Sequence, residues 1–252
     1  MKNFAEYAAF YNALYQDKDY HSEAMYVSKL LSEQGTEVKS VLNFGCGTGK
    51  HDFVLGETGY QITGVDLSAE MVNEAVKNTP DNLKGKVQFM KGDFRSFRVN
   101  QKYDAVTALF HVMSYQNTNE EVLAAIQTAR VHLREGGLFT FDFWYGPGVL
   151  SDPPVVRVKK LKGKDFTLTR IAQPEIHSDK NIVDVNYELI VMHDDETAHT
   201  INETHKMRYF FLPEMAFYLK SCSFEMLSVK AWMGETEPGL NTWNAVITAK
   251  AI

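Results

Sequence analysis

The stretch SVLNFGCGTGKHDFVLGETGYQITGVDLS, residues 40–68, decides how the rest of the chain is read. Ser40-Val41-Leu42-Asn43-Phe44 is a short strand that runs directly into Gly45-Cys46-Gly47-Thr48-Gly49. His51 to Leu55 can begin a helix, and Tyr60 to Asp66 forms a second strand. Glycines between a strand and a helix permit positive φ and let backbone N–H groups approach a ligand closely. Alone, such a loop is also compatible with a purely structural turn.

Outward from it, Ser68 is an N-cap for a helix over Ala69 to Asn78, with Glu70 in the first turn, and Pro80 ends that helix. Lys86 to Met90 is a third strand. Tyr103 to Phe110 is a fourth, so continuously apolar that it should be buried on both faces. Asn119 to Leu133 reads as an amphipathic helix stopped by Gly136-Gly137, with a fifth strand over Leu138 to Phe143. Alternating strands and helices predict a parallel sheet with ligands at the carboxyl ends of its strands.

The pattern changes after Tyr145-Gly146-Pro147-Gly148, a candidate hinge, and Asp152-Pro153-Pro154. From Val155 to Phe211 the period is two, as in antiparallel sheet. Val183, Val185, Tyr187, Leu189 and Val191 share one face. In the next run Ile201, Met207, Tyr209 and Phe211 fall on one face together with Glu203 and His205. A helix over Glu214 to Ser221 and strands over Glu225 to Met233 and Thr242 to Ala249 follow. The expected fold is an α/β core with a β-rich insertion.

With 252 residues, 44% hydrophobic and 12% aromatic, the chain can bury a substantial core without disulfides. Its net charge of −6 lacks the electrostatic footprint of a nucleic-acid binder, so a nucleic-acid partner fits poorly. Two cysteines, Cys46 and Cys222, make no disulfide framework. The first twenty residues carry no signal-peptide h-region, and no apolar run is long enough for a membrane helix. The expectation is a cytoplasmic protein with no membrane partner.

Two acids sharpen the reading of the glycine loop. Asp66 ends the second strand about twenty residues past the loop, where a carboxylate can accept both hydroxyls of a ribose. Asp93 ends the third strand and is followed by Phe94, so an adenine amino group could meet the acid while the ring covers the base. An NAD site would fit Asp66, but it leaves Asp93-Phe94 unexplained, and the spacing is G-x-G-x-G rather than G-x-G-x-x-G. No P-loop Lys-Ser/Thr pair is present.

Taken jointly, FGCGTG, GVDLS, KGDF, YDAVTALFHVMSY and the two glycines before the fifth strand resemble the class I S-adenosylmethionine-dependent methyltransferases over about residues 40–145. The resemblance implies a Rossmann-like seven-stranded sheet whose last strand is antiparallel, with an antiparallel β insertion after the fifth strand. It implies a division into an N-terminal helical lid (1–35), an S-adenosylmethionine-binding core (36–148), the insertion (149–212) and the end of the core sheet (213–252). It also implies that Gly45, the backbone of Cys46, and Gly47 pass beside the methionine part of the cofactor, and that Asp66 holds its ribose. Leu67 and Met71 would flank the adenine, Asp93 and Phe94 would recognise it, and the backbone near Leu109 would accept from the cofactor amine. One departure stands out: Asn43 occupies a position where that family usually carries an acid. A helix end in front of Cys46 could lower its thiol pKa, yet the resemblance places its backbone, not its sulfur, against the cofactor.

Tyr7, Tyr11, Tyr15 and Tyr20 recur in the N-terminal segment. They either pack an amphipathic helix on the core or form a lid whose phenols meet cofactor and substrate, with Tyr20 on the cofactor side. More narrowly, YNALYQDKDYHSEA, FDFWY and INETHKMRYFFLPEMAFYLKSCSF are similar to bacterial N,N-dimethylating enzymes of nucleotide-linked deoxyamino sugars. Small-molecule O-methyltransferases and glycine- or sarcosine-type N-methyltransferases share the layout, and a non-catalytic cofactor-binding partner subunit is the alternative of another class. His111, Tyr15 and Tyr115 are the candidates for orienting or deprotonating a substrate amine. Arg157, Lys159 and Arg170 are candidates for a substrate diphosphate. Glu203 and His205 could meet the sugar or be salt-bridged residues of the sheet. Asp142, Trp144 and Tyr145 either shape the cleft or anchor the insertion. The histidines show no metal-ligand spacing, and edge strands of the insertion offer a surface for a homodimer.

Overall fold

Helix α1 (Ala5–Leu14) leads into α2 (Tyr20–Ser32), and the α/β alternation begins after it. In chain order come β1 (Ser40–Phe44), α3 (Lys50–Glu57), β2 (Gln61–Asp66), α4 (Ala69–Lys77), β3 (Val87–Lys91), β4 (Tyr103–Ala108), α5 (Asn119–His132) and β5 (Leu133–Tyr145). Next are α6 (Gly146–Ser151) and four strands, β6 (Arg157–Lys162), β7 (Phe166–His177), β8 (Ile182–His193) and β9 (Ala198–Phe210). Helix α7 (Leu212–Ser221) and strands β10 (Phe224–Ala231) and β11 (Asn244–Ala251) close the chain. This computed structural model describes residues 5–163, 165–195 and 197–252, with side chains from Phe10 onward. The side chain of Tyr7 therefore lies outside the described residues.

The core sheet has the order β3-β2-β1-β4-β5-β11-β10, with only β11 antiparallel to its neighbours. Its strands are apolar on both faces because helices cover both. On one side α5 and α7 bury Ile126, Met215 and Leu219 against Phe44, Phe139, Phe141 and Phe224. On the other, α2 and α3 bury Val27, Leu31 and Leu55 against Val41, Ile62 and Leu138. Helix α2 is thus part of the core packing, whereas the end of α1 sits on the insertion, where Leu14 packs with Leu168, Leu189, Val191 and Ile201.

The insertion is the antiparallel sheet β6-β7-β8-β9, and it joins the core where Tyr209 and Phe210 pair in parallel with Trp144 and Tyr145. Val183, Val185, Leu189 and Val191 are buried on one face, in the alternation the sequence predicts. Its free edge strand β6 carries Arg157, Lys159, Lys160 and Lys162, a charge pattern that discourages edge-to-edge pairing.

Several expectations need correction. Gly136-Gly137 does not cap α5. The helix ends at His132, Leu133 is already extended, and the glycines lie within β5, where the register against β4 shifts between Tyr103 and Ala105. Gly136 takes φ 73° there, and a Cβ on Gly137 would sit 3.0 Å from the Arg134 carbonyl oxygen. Phe211 lies beyond β9, as the residue before α7. Gly146-Pro147-Gly148, expected as a loop, opens α6, packed so tightly that a Cβ on Gly148 would collide with the Thr242 carbonyl oxygen. The terminal strands are displaced by one or two residues from their expected ends.

Candidate active site

A cavity of about 710 Å³ opens at the carboxyl ends of the core strands, roofed by the insertion and the N-terminal helices. On the core side, the glycine loop folds back on β2. Gly45 and Cys46 N–H donate to the Val65 carbonyl at 2.7 and 3.1 Å, and Gly47 N–H donates to Asp66 Oδ2 at 2.9 Å. All three glycines have positive φ, but for different ends. A Cβ on Gly45 or Gly49 would collide with Val112 or Phe89, so these two serve packing. A Cβ on Gly47 would meet nothing within 4 Å, so its missing side chain leaves room in the cavity.

Asp66 lies beside it at the end of β2. Its Oδ1 accepts from Ser68 N–H at 2.8 Å, and burial raises its carboxyl pKa while these backbone donors pull it down. Each oxygen keeps further lone-pair capacity for a diol. Leu67, exposed beside the opening, and Met71, buried, both line the same wall, as does Leu109. This arrangement of open glycine, carboxylate and apolar flank fits the nucleoside and amino-acid parts of S-adenosylmethionine.

Beneath the loop, two expectations change. Burial pushes the Cys46 thiol well above its ordinary pKa, outweighing the helix end in front of it, so it is no thiolate. Asn43 does not face the cavity: it is buried, donating from Nδ2 to Asp52 Oδ1 at 2.9 Å and accepting from the Thr107 hydroxyl at 2.9 Å. The buried carboxyl bonded to its amide, Asp52, is on the first turn of α3.

Asp93 lines the cavity, but it is engaged by a neighbour that sequence reading overlooked. Arg95 Nε and Nη2 reach its carboxylate at 2.9 and 2.6 Å, holding its pKa below the ordinary value, and the other arm of Arg95 pairs with Glu121. Phe94 stacks on Phe44 at 4.2 Å, so most of its ring belongs to the core and it offers the cavity only a margin.

The opposite wall is aromatic and polar. Tyr11, Tyr15 and Tyr20 line it, Tyr15 edge-on to Phe110 at 5.2 Å and Tyr20 edge-on to His51 at 4.9 Å. His51 Nε2 in turn meets Glu23 Oε2 at 2.8 Å, tying α3 to α2. Thr48 donates to Asn12 Oδ1 at 2.9 Å, which docks the N-terminal helix on the glycine loop.

Past β4, Phe110 and His111 both adopt φ near +65°, an unfavourable backbone for side chains of their size that the surroundings must enforce. The enforcing group is Asp142. Fully buried on β5, it accepts the His111 backbone N–H at 3.1 Å and lies 2.6 Å from His111 Nδ1, a close contact not aligned with the ring N–H direction. Trp144, two residues on, faces the cavity, whereas Tyr145 is in the core. Tyr115, on the short 3-10 turn after His111, is partly buried at the cavity wall, and burial pushes its phenol pKa well up. Its hydroxyl meets His205 Nδ1 at 3.0 Å, and His205 Nε2 meets Glu203 Oε2 at 3.2 Å.

The structure thus gathers His111, Tyr15 and Tyr115 around one space with Gly47 and Asp66. It does not gather the expected diphosphate ligands: Lys159 is bound to Asp17 and the Leu14 carbonyl, Arg170 lies over the Tyr187 ring at 5.4 Å, and neither they nor Arg157 reach the cavity. The cations that do are Lys50, Arg95 and Lys206. Sequence reading also missed Gln116, Asn117, Asn202 and Thr204, polar residues with no motif to mark them; Lys50, next to the glycine loop, was within its reach. Among the described residues, no three His, Cys, Asp or Glu side chains converge as a metal site, and no helix is long and apolar enough to cross a membrane.

With this geometry in place, comparison with known proteins is informative. Residues 41–137 match the methyltransferase domain family. A dTDP-3-amino-3,4,6-trideoxy-alpha-D-glucopyranose N,N-dimethyltransferase of Streptomyces venezuelae is 33% identical over 150 residues, 58% of this chain and 61% of the relative. A dTDP-3-amino-3,6-dideoxy-alpha-D-glucopyranose N,N-dimethyltransferase of Streptomyces fradiae is 26% identical over 88% of this chain and 86% of its own length. An S-adenosylmethionine-dependent methyltransferase of Clostridium acetobutylicum superposes with a TM-score of 0.81 at 20% identity, covering 98% of both chains. The chain thus matches a methyltransferase domain over residues 41–137, and along nearly its whole length it has the Rossmann-like fold of the Clostridium acetobutylicum enzyme.

Proposed function

We propose that this protein is an S-adenosylmethionine-dependent N-methyltransferase that acts on the amino group of a nucleotide-linked deoxyamino sugar by direct in-line transfer. One observation carries the reading: the glycine loop and Asp66 share a single cavity with Tyr11, Tyr15, His111 and Tyr115 and with Tyr187, Glu203 and His205 of the insertion. The two Streptomyces relatives, named for amino-sugar substrates, support it.

Gly47 and Asp66 would hold the cofactor, with Leu67 and Met71 against its base. When bound, S-adenosylmethionine supplies a methyl group already activated on a sulfonium sulfur. The chain's task is then alignment, and relief of the amine's proton so that its lone pair is free. His111, fixed by Asp142, and Tyr15 and Tyr115 face the space where that amine would sit. Phe110 and Trp144 close the same space to water.

The distribution of cations favours one second reading. With Arg157, Lys159 and Arg170 outside the cavity, few positive groups are left for a diphosphate, which suits a smaller amine of the glycine or sarcosine type. The insertion's free edge, crowded with cations, gives no support to a homodimer formed through it.

Calorimetry with S-adenosylmethionine, and with NAD as control, is the first test, followed by turnover of a dTDP-3-amino-deoxyhexose against glycine and sarcosine. Micromolar binding of the first nucleotide alone and methylation of the sugar amine are expected. Absence of binding would refute the cofactor assignment. Turnover of glycine but not of the sugar would replace the substrate, and binding without turnover of any amine would leave a partner subunit.

A further inference from the structure

We propose that the insertion supplies the proton path of the reaction: Tyr115 takes the proton leaving the substrate amine while passing its own phenolic proton to His205, which Glu203 holds in place. This rests on the N-methyltransferase reading above. The three side chains come from distant parts of the chain and meet in one line. Glu203 and His205 are two apart on β9 and so project from the same face, and Tyr115 reaches them from the turn after β4. The spacings, 3.0 Å from Tyr115 Oη to His205 Nδ1 and 3.2 Å from His205 Nε2 to Glu203 Oε2, are those of a hydrogen-bonded chain. All three line the cavity, yet the side chains of His205 and Glu203 are only 6% and 7% exposed, so protons exchange with a ligand there more readily than with bulk water.

Polarity follows from the donor inventory. A carboxylate at Glu203 only accepts, so the ring proton of a neutral His205 belongs on Nε2, and Nδ1 is left as an acceptor. Tyr115 must then donate to Nδ1, which turns the lone pairs of its oxygen toward the cavity. An amine N–H can be accepted there. As it transfers, the phenol O–H bond breaks and the Nδ1–H bond forms, so Tyr115 ends neutral and the positive charge rests on the imidazole beside Glu203. A free phenolate is never required, which matters because burial disfavours one at Tyr115. Among the described residues, Tyr187 on β8, edge-on to His205 at 4.9 Å, and Arg170 behind it on β7 belong to the charged and titratable surroundings, with Tyr15 and Asp66 facing from the N-terminal segment and β2.

The decisive measurement needs no substrate. In full-length protein labelled with 15N-histidine, with His205→Gln to assign the signal, His205 should be the neutral tautomer protonated at Nε2. A proton on Nδ1, in a neutral or cationic ring, would make Tyr115 an acceptor from the ring and overturns the path. Kinetics on a dTDP-3-amino-deoxyhexose then test its use. Tyr115→Phe and His205→Gln should each lower kcat about 100-fold at neutral pH, with KM and S-adenosylmethionine affinity unchanged. The double variant should lose no more than the worse single one, and the loss should narrow as pH rises and more amine arrives unprotonated. Glu203→Gln, the least disruptive change to packing, should lower kcat in the same pH-dependent way. Multiplying losses, or a loss equal at every pH, refutes the relay. If the wild type turns over no amino sugar, the substrate reading has failed, and the tautomer still decides whether the relay is poised as stated.

Discussion

Replacing Asp52 by asparagine should stabilise this protein, and by an amount that grows with pH. Asp52 is wholly buried, its only described hydrogen bond comes from Asn43 Nδ2, and burial raises its pKa from 3.8 to about 8. In the unfolded chain the group ionises near 3.8, so between about pH 4 and 8 the native state binds one proton more than the unfolded state. Stability therefore falls as pH rises through that window, by about 1.4 kcal/mol per unit from this group alone. The contribution reaches about 4 kcal/mol at pH 7, about 3 kcal/mol of it accruing between pH 5 and 7, large against a typical domain stability of about 5–15 kcal/mol. The substituted side chain keeps the carbonyl acceptor for Asn43. Its amide nitrogen would inherit the position of Oδ2, which has no partner, but a protonated Asp52 leaves a donor orphaned there as well, so that penalty cancels. Urea unfolding of both proteins at pH 5, 6, 7 and 8, with m unchanged, should show the advantage of the variant widening by about 3 kcal/mol between pH 5 and 7. Parallel stability curves would refute the reasoning, since they would mean that Asp52 is already ionised in the folded protein.

The same pair yields a second outcome. Asn43→Asp sets two carboxyls against each other and should cost about 3 kcal/mol near pH 8, where neither can be left charged without a partner; adding Asp52→Asn should restore most of it, as paired unfolding curves would reveal. Asp66→Ala removes the acceptor of Gly47 and Ser68 N–H and of the proposed ribose, and should weaken S-adenosylmethionine by about 1–3 kcal/mol in calorimetry; an unchanged affinity would remove Asp66 from the cofactor site. Gly47→Ala and Gly148→Ala should separate binding from stability. The first puts a methyl group into open space at φ 54° and should cost mainly cofactor affinity, while the second drives one into the Thr242 carbonyl and should lower Tm by several degrees with about 1–3 kcal/mol of overpacking.

How much of this was legible depends on the range over which each feature is built. The glycine loop, Asp66 and the cap at Ser68 are local, and the structure has them where the sequence reading put them, Ser68 accepting from Met71 N–H at 3.2 Å. The alternation of β8 and β9 was equally legible, since a period of two needs only one chain segment. The glycine pair at 136–137 misled because a stop for a helix and an irregularity in a strand ask for the same residue. What distinguishes them is the pairing of Leu133 with Tyr103, about thirty positions away. Asn43 misled in a related way. Read along the strand it stands where an acid is expected, and only the turn of α3 above it shows that its amide is bonded to a buried carboxyl, Asp52.

The substrate side was the least legible, for a physical reason. Glu203 and His205 sit among apolar residues of one strand face, and a sequence alone cannot say whether such a face covers a core or a cavity. That is decided where Tyr209 and Phe210 pair with Trp144 and Tyr145, because this short parallel contact turns the buried face of the insertion over the carboxyl end of β5. Asp142 and Trp144 are carried to the same spot by the core sheet, and His111 and Tyr115 by the turn after β4. The junction therefore does two things at once. It places the polar residues of β9 at the cavity that holds the glycine loop, and it encloses Glu203 and His205 so far from solvent that each must find a partner within the protein or in a ligand. A substitution at the junction, such as Tyr209→Ala in the core of the insertion, should accordingly separate the two halves of the site: S-adenosylmethionine affinity, set by β1 and β2, should persist, while amine turnover collapses. Loss of both together in a folded variant would mean that the insertion also holds the cofactor, and that the division of labour between the two sheets is wrong.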